Sequence, residues 1–154
     1  MKSFSCDLNK DGFTDWLVIY EKQCSEEEAG TGGEAYCRRL AVFLGVNRFR
    51  DSLFGYNDNI IDCSNCGGMG VGDPFRDIVI KKNFFSVEQL YGACEKDFIV
   101  ITFRYDEPLK DIFLHRKGEE HYKCMFVDEK DIVTHSSGIL DKGSKKIRFC
   151  DYIN

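Results

Sequence analysis

The segment CDLNKDGFTDWLVIY (residues 6–20) joins a short polar stretch directly to an apolar one. Its apolar part belongs to TDWLVIYEK (residues 14–22), which is rich in β-branched and aromatic residues and apolar on both faces, as a central β-strand is. Its polar part carries four acidic or amide side chains around one glycine: Asp7, Asn9, Asp11 and Asp15. The segment therefore predicts a tight polar loop that leads into a buried strand.

Elsewhere, apolar residues recur mostly with a period of two, which indicates strands. The predicted elements are a strand at 34–45 (where a short helix also fits), a turn at 55–58, two strands at 75–92 around Lys81-Lys82-Asn83, a strand at 96–107, a hairpin at 109–130 that turns near Gly118, and a closing strand at 145–153. Residues 25–34 are predicted to form a flexible loop. We therefore predict a mainly β chain: a single antiparallel β domain spanning residues 1–154, arranged as a sandwich or a curled sheet.

Composition limits the classes of partner. The chain has 154 residues and a net charge of −5. An acidic surface repels phosphate backbones, so no nucleic-acid partner is expected. No segment reaches the roughly 18 consecutive apolar residues that a membrane-spanning helix needs, so no membrane span is expected.

Cysteine usage indicates an oxidising compartment. The chain contains eight cysteines, Cys6, Cys24, Cys37, Cys63, Cys66, Cys94, Cys124 and Cys150. An even, widely spread set favours disulfides over a zinc site, because only Cys63 and Cys66 have the spacing of a zinc knuckle. No leader is visible at the start, so the chain is either cytosolic or begins after a removed leader. The cysteines favour the second alternative, a periplasmic or secreted protein whose leader is absent from this chain.

At least two disulfides are predicted, and the spacing suggests two of the pairs. Cys63 and Cys66 are expected to form a structural disulfide in a glycine-rich loop, because nothing after them predicts the helix that a redox-active pair uses. The hairpin-like spacing near the end of the chain favours Cys124 and Cys150 as partners. Full connectivity stays open, since eight cysteines allow about 105 pairings.

The polar loop has the spacing of a calcium site. If Asp7 is position 1, Asn9, Asp11, the Phe13 carbonyl and Asp15 fall at positions 3, 5, 7 and 9, with Gly12 at the sharp turn. Calcium takes six to eight oxygen ligands, and crowded carboxylates repel each other without a cation. Position 12 carries Val18 in place of the bidentate glutamate of an EF-hand, and a strand follows in place of a helix. We therefore predict a structural calcium ion held by Asp7, Asn9, Asp11, Phe13 and Asp15.

Residues 7–19 resemble the D-x-N-x-D-G-x-x-D calcium loop of FG-GAP and related β-propeller repeats, in a single copy. A wider likeness covers residues 7–115 and is carried by CSNCGGMGVGDPF (63–75), FFSVEQLYGA (84–93) and FIVITFRYDE (98–107). With these motifs the chain resembles a family of small exported bacterial proteins of uncharacterised function. The resemblance implies export and a β fold, and it implies no activity.

Two classes of function follow. The first is an exported, calcium-stabilised, non-enzymatic binding protein whose partner is a toxin or another exported protein; an immunity-type protein that neutralises a secreted toxin is one form of it. The second is a secreted or periplasmic hydrolase whose site is assembled from distant residues. The sequence contains no nucleophile, zinc-protease or phosphate-loop motif, and none of His115, His121 and His135 is paired in sequence with a nucleophile. The sequence therefore favours the binding protein.

Overall fold

The computed structural model describes residues 1–25, 35–124 and 146–154, together with the backbone of residues 133–135. The described residues form nine strands: β1 Lys2–Cys6, β2 Asp15–Gln23, β3 Tyr36–Asn47, β4 Arg50–Asn57, β5 Phe75–Lys81, β6 Phe84–Gly92, β7 Lys96–Asp106, β8 Asp111–Tyr122 and β9 Val133–His135. They make two antiparallel sheets, β1-β2-β3-β4 and β5-β6-β7-β8-β9. The predicted mainly β, antiparallel fold is confirmed.

The two sheets contribute their inward faces to one core. Leu17, Leu40 and Val42 come from the first sheet, and Phe85 and Phe103 from the second, all fully buried. The strand at 96–107 alternates as predicted, because Ile101 and Phe103 are buried while their neighbours are only partly covered. The fold is therefore the sandwich form of the predicted domain.

Strand β1 has no counterpart in the predicted elements. Its sequence, KSFSC, is mostly polar, and only Phe4 and Cys6 pack against the core. An edge strand with one neighbour needs few apolar residues, because most of its side chains face solvent. Composition alone therefore gave little indication of it.

The turn predicted at 55–58 begins later than expected. Gly55 and Tyr56 lie inside β4, and the bend starts at Asp58. A Cβ atom on Gly55 would lie 2.6 Å from the Cys150 sulfur, so this glycine permits close packing and does not make a turn. The prediction was wrong because a glycine in a strand can mark a close approach.

The predicted hairpin around Gly118 was also wrong. Strand β8 runs unbroken from Asp111 to Tyr122, and Gly118 lies opposite Val100 of β7 in regular pairing. The strand that pairs with β8 on its other side is β9. Residues 125–130 of the predicted hairpin, like residues 26–34 of the predicted flexible loop, lie outside the described residues.

The closing strand predicted at 145–153 is replaced by a single 3-10 turn at Phe149–Asp151, preceded by one isolated bridge between Arg148 and Phe113. Phe149 and Tyr152 are both buried, and their spacing of three residues suits a helical turn and not a strand. Asn57 holds the turn, since its Nδ2 donates to the carbonyls of Phe149 at 2.7 Å and Tyr152 at 2.9 Å.

Three disulfides are present, Cys24–Cys37, Cys63–Cys66 and Cys94–Cys124, and Cys6 and Cys150 are free thiols. The predicted Cys63–Cys66 bond is confirmed. The predicted pairing of Cys124 with Cys150 was wrong, because β8 is one long strand that brings Cys124 back to the β6–β7 turn, where Cys94 lies. Cys150 instead packs against Gly55.

Among the described residues, none of the helical segments has the length and apolar character that crossing a membrane requires.

Candidate metal centre

The predicted calcium site comprises residues of the tightly curled loop between β1 and β2 together with Asp15, the first residue of β2. The backbone of Gly12 has a φ of 85°, a left-handed conformation that glycine adopts freely. Lys10 is also left-handed, with a φ of 61°, which side chains other than glycine adopt less readily. The curl turns the polar side chains of the loop towards its own backbone.

Three of the predicted ligands form the outer rim of the loop. Asp7 accepts the N–H groups of Asp11 at 3.1 Å and Gly12 at 3.2 Å. Asn9 accepts the N–H of Asp11 at 3.1 Å and donates its own Nδ2 to Asp11 Oδ2 at 2.8 Å. Asp11 Oδ1 accepts the N–H of Phe13 at 2.8 Å. The loop thus brings Asp7, Asn9 and Asp11 together, as the spacing predicted.

The fourth side chain, Asp15, lies at the base of the loop and is fully buried, with 0% of it exposed. Its Oδ2 accepts the N–H groups of Leu8 at 2.6 Å and Asn9 at 3.3 Å, and its Oδ1 accepts the N–H of Gly45 at 2.9 Å. Since Gly45 belongs to β3, Asp15 joins the loop to the neighbouring strand in addition to any ligand role.

The charge of the loop has no cationic partner in the described part of the chain. No Lys, Arg or N-terminal amine there forms an ion pair with Asp7, Asp11 or Asp15. Burial raises the pKa of Asp15, and the N–H groups of Gly45, Leu8 and Asn9 lower it in part. A buried carboxylate without a counter-charge is costly, so this loop is a natural place for a cation.

The excess negative charge acts on neighbouring groups. Burial first, and then Asp15 and Asp7, raise the pKa of the Cys6 thiol to about 12. Burial also raises the pKa of Tyr105, with a further contribution from Asp15 and Asp11. Both groups are therefore held in their neutral forms beside the loop.

The side chains do not converge on one point in this structure. Within the described ranges, no group of three or more His, Cys, Asp or Glu side chains is arranged to hold a metal ion. The loop oxygens face backbone N–H groups, and a carboxylate oxygen that accepts one hydrogen bond keeps further lone-pair capacity. The donor set suits calcium, a hard cation that prefers carboxylate, amide and carbonyl oxygens.

Two residues that anchor the loop were missed by the sequence reasoning. Leu8 is fully buried in the core between the rim residues Asp7 and Asn9. Gly45 allows the loop to lie against β3, because a Cβ there would be 2.6 Å from the Thr14 carbonyl oxygen and 2.8 Å from Phe13 Cβ. A glycine as the last residue of the predicted strand was the available indication of such an approach.

None of the protein-family models, curated proteins or solved structures compared with the chain matches it.

The glycine-rich loop that follows Cys63 and Cys66 is the second unusual segment of the sequence, and in the structure it forms tight turns beside a buried ion pair. Gly68, Gly70 and Gly72 all have positive φ values of 67–96°, so they form the turns that the glycine-rich loop needs. Beside this loop, buried Arg38 makes a two-pronged ion pair with Asp73, 2.6 Å on each side, and binds Glu21 at 3.0 Å. Burial alone would raise the pKa of Asp73, but its bonds to Arg38 hold the pKa below the ordinary value.

The histidines give little support to a nucleophilic site. His121 Nδ1 lies 2.6 Å from Asp97 Oδ1, and the ring of His115 packs edge-on against Phe84. His121 has no hydroxyl or thiol hydrogen-bond partner among the residues described. The side chain of His135 lies outside the described part.

Proposed function

We propose that this chain is an exported binding protein in which disulfides and one calcium ion hold a β sandwich, and that it acts by presenting a surface and not by turning over a substrate. In its immunity-type form the partner is a secreted toxin. Export is supported by three disulfides, which form and persist in oxidising compartments.

The observation that carries the calcium assignment is the burial of Asp15. Its carboxylate is fully enclosed at the start of β2, the nearby carboxylate of Asp11 adds negative charge, and no described cation compensates it. A divalent ion bound by Asp7, Asn9, Asp11, Asp15 and the Phe13 carbonyl would offset that charge. Because Asp15 also holds Gly45, the ion would stabilise the junction between the loop and β3.

The test is thermal unfolding with calcium and with a chelator. At a calcium concentration about a hundred times its dissociation constant, binding adds about 2.7 kcal/mol to the free energy of unfolding. For a chain of this size that corresponds to a melting temperature about 5–10 °C higher. We expect this difference in the wild type and none in Asp11→Ala, which removes a rim ligand.

Glu107→Ala is the matched control, because Glu107 is an exposed carboxylate outside the loop and its side chain has no hydrogen bond or ion pair in the described structure. It should respond to calcium as the wild type does. Equal melting temperatures with and without chelator in the wild type would refute the calcium assignment.

A further inference from the structure

The outward face of the first sheet is unusually apolar. Cross-strand partners share a face, and the pairs Leu17–Val42 and Ile19–Leu40 point into the core. The alternate positions therefore point outward. We call the following outward residues the aromatic face: the exposed Tyr20, Leu53 and Tyr56, the half-buried Trp16 and Phe43, and the buried Val18.

The outward face of the second sheet differs from it. There apolar pairs such as Leu90 with Phe98 alternate with polar ones: Ser86 is hydrogen-bonded to Thr102 at 2.9 Å, and Phe98 also lies opposite Glu120. A sheet face in contact with water normally carries polar residues in this way. The first sheet differs in how much of this apolar surface is exposed: Tyr20, Leu53 and Tyr56 are exposed there, and contiguous exposed apolar patches mark interaction sites.

The aromatic face is concave and carries a fixed guanidinium. A groove of about 510 Å³ is lined by Tyr20, Phe43, Leu53 and Tyr56. Arg39 lies along the wall of the groove, with its Cζ 4.0 Å from the centre of the Tyr56 ring. Its Nε and Nη2 donate to the two carboxylate oxygens of Asp58 at 2.7 Å and 2.8 Å. Tyr, Trp and Arg are the side chains that most often dominate the binding energy of interfaces.

The face continues to the turn between β3 and β4. Trp16 also lines a recess of about 770 Å³ together with the turn residues Arg48 and Phe49. The turn consists of Arg48 and Phe49 between the paired Asn47 and Arg50, whereas two-residue hairpin turns favour Asn and Gly. Phe49 is 96% exposed, so neither turn geometry nor core packing explains a phenylalanine there.

The charge of the turn indicates the charge that a partner should carry. Arg48 and Arg50 flank Phe49, and neither forms an ion pair with a described residue. The chain as a whole has a charge of −5, whereas this end carries two arginines against one carboxylate, Asp51, which lines the same recess. Carboxylates on a partner would complement it. A flat anionic bilayer would leave the groove unfilled and would meet the Asp58 carboxylate.

We propose that the aromatic face and the Arg48–Arg50 turn together form the docking surface for a protein partner that presents carboxylates around an apolar centre. This inference rests on the proposed binding function and adds to it the location of the surface and the chemistry of the partner.

The experiment selects short random peptides displayed on phage against the full chain in calcium, and measures the affinity of the selected peptides. We expect acidic peptides with apolar residues, weakened at least about tenfold by Leu53→Asp and by the double variant Arg48→Glu with Arg50→Glu. Val79→Asp is the matched control, since Val79 is an exposed aliphatic residue (45%, against 52% for Leu53) on the outward face of the opposite sheet's edge strand β5. It should leave affinity unchanged.

Peptides that bind all variants equally, or that are basic, would overturn the docking surface while leaving the proposed binding function intact. Concentration-dependent dimerisation abolished by Leu53→Asp would assign the face to a second copy, and co-sedimentation with phosphatidylserine vesicles that the arginine variant abolishes would assign it to a membrane. Either result would overturn the protein-partner inference. The proposed function fails separately: its calcium assignment when calcium has no effect on unfolding, and its binding role when the chain turns over a substrate in a hydrolase screen.

Discussion

At the scale of single residues, Asp15 has two tasks that the sequence pattern does not separate. As position 9 of a calcium loop it is a candidate ligand, and as a buried acceptor it binds the N–H groups of Leu8, Asn9 and Gly45. The rim residues Asp7 and Asp11 are exposed and bond only within the loop. Substitutions at the base and at the rim should therefore have different effects.

Asp15→Ala should lower the free energy of unfolding by about 2–4 kcal/mol even in chelator, because it leaves the buried N–H groups of Leu8 and Gly45 without acceptors. Asp11→Ala should change stability little under the same conditions, since its side chain is exposed. Urea denaturation in chelator measures both. An Asp15→Ala protein as stable as the wild type would mean that the carboxylate does not hold the loop to β3.

At the scale of elements, Arg38 connects three parts of the sandwich. It lies on β3, pairs with Glu21 of β2, and reaches Asp73 just before β5 in the second sheet. The Arg38 side chain is almost fully buried and has lost its contacts with water. The hydrogen bonds to Glu21 and Asp73 compensate for that loss. A second bidentate pair, Arg39 with Asp58, has the same chemistry but lies at the surface.

These two pairs predict a pH dependence. The pKa of Asp73 is lower in the folded protein, because burial, which raises it, is outweighed by its bonds to Arg38 and to the Phe75 N–H together. Its stabilisation is therefore complete above the unfolded value of about 3.9 and is lost as the pH falls through the lower folded value. Asp73→Asn should cost about 1–3 kcal/mol at neutral pH, because buried Arg38 loses a charged partner, and less at about pH 3.

Asp58→Asn is the control. The pKa of Asp58 is also lowered by its arginine, but exposed ion pairs contribute only about 0–1 kcal/mol. Urea denaturation of the three proteins at both pH values makes the comparison. A loss for Asp73→Asn that is the same at both pH values would show that its carboxylate charge does not stabilise the junction of the sheets.

At the scale of the whole molecule, the period of two was enough to predict the antiparallel fold, and the β5–β6 hairpin around Lys82 formed where expected. The errors share one cause. Gly55, Gly118 and the segment after Arg148 were interpreted from local sequence, whereas their conformations depend on residues distant in the chain: Cys150, Val100 and Asn57. Long-range packing of this kind has no local pattern.

The candidate site was also predicted only in part. The loop oxygens of Asp7, Asn9 and Asp11 do come together, since their spacing alone curls the chain around Gly12. The contact of Asp15 with Gly45 joins residues that are 30 positions apart, and no motif spans that distance. The aromatic face could not be predicted from the sequence either. The side of a strand that faces outward depends on the position of the second sheet, which the local pattern does not give.

The most direct measurement is a calorimetric titration of the chelator-treated chain with calcium. We expect one calcium ion per chain for the wild type and for Glu107→Ala, and no binding heat for Asp11→Ala. Absence of binding to the wild type at millimolar calcium, or undiminished binding to Asp11→Ala, would contradict a calcium ion held by the loop between β1 and β2.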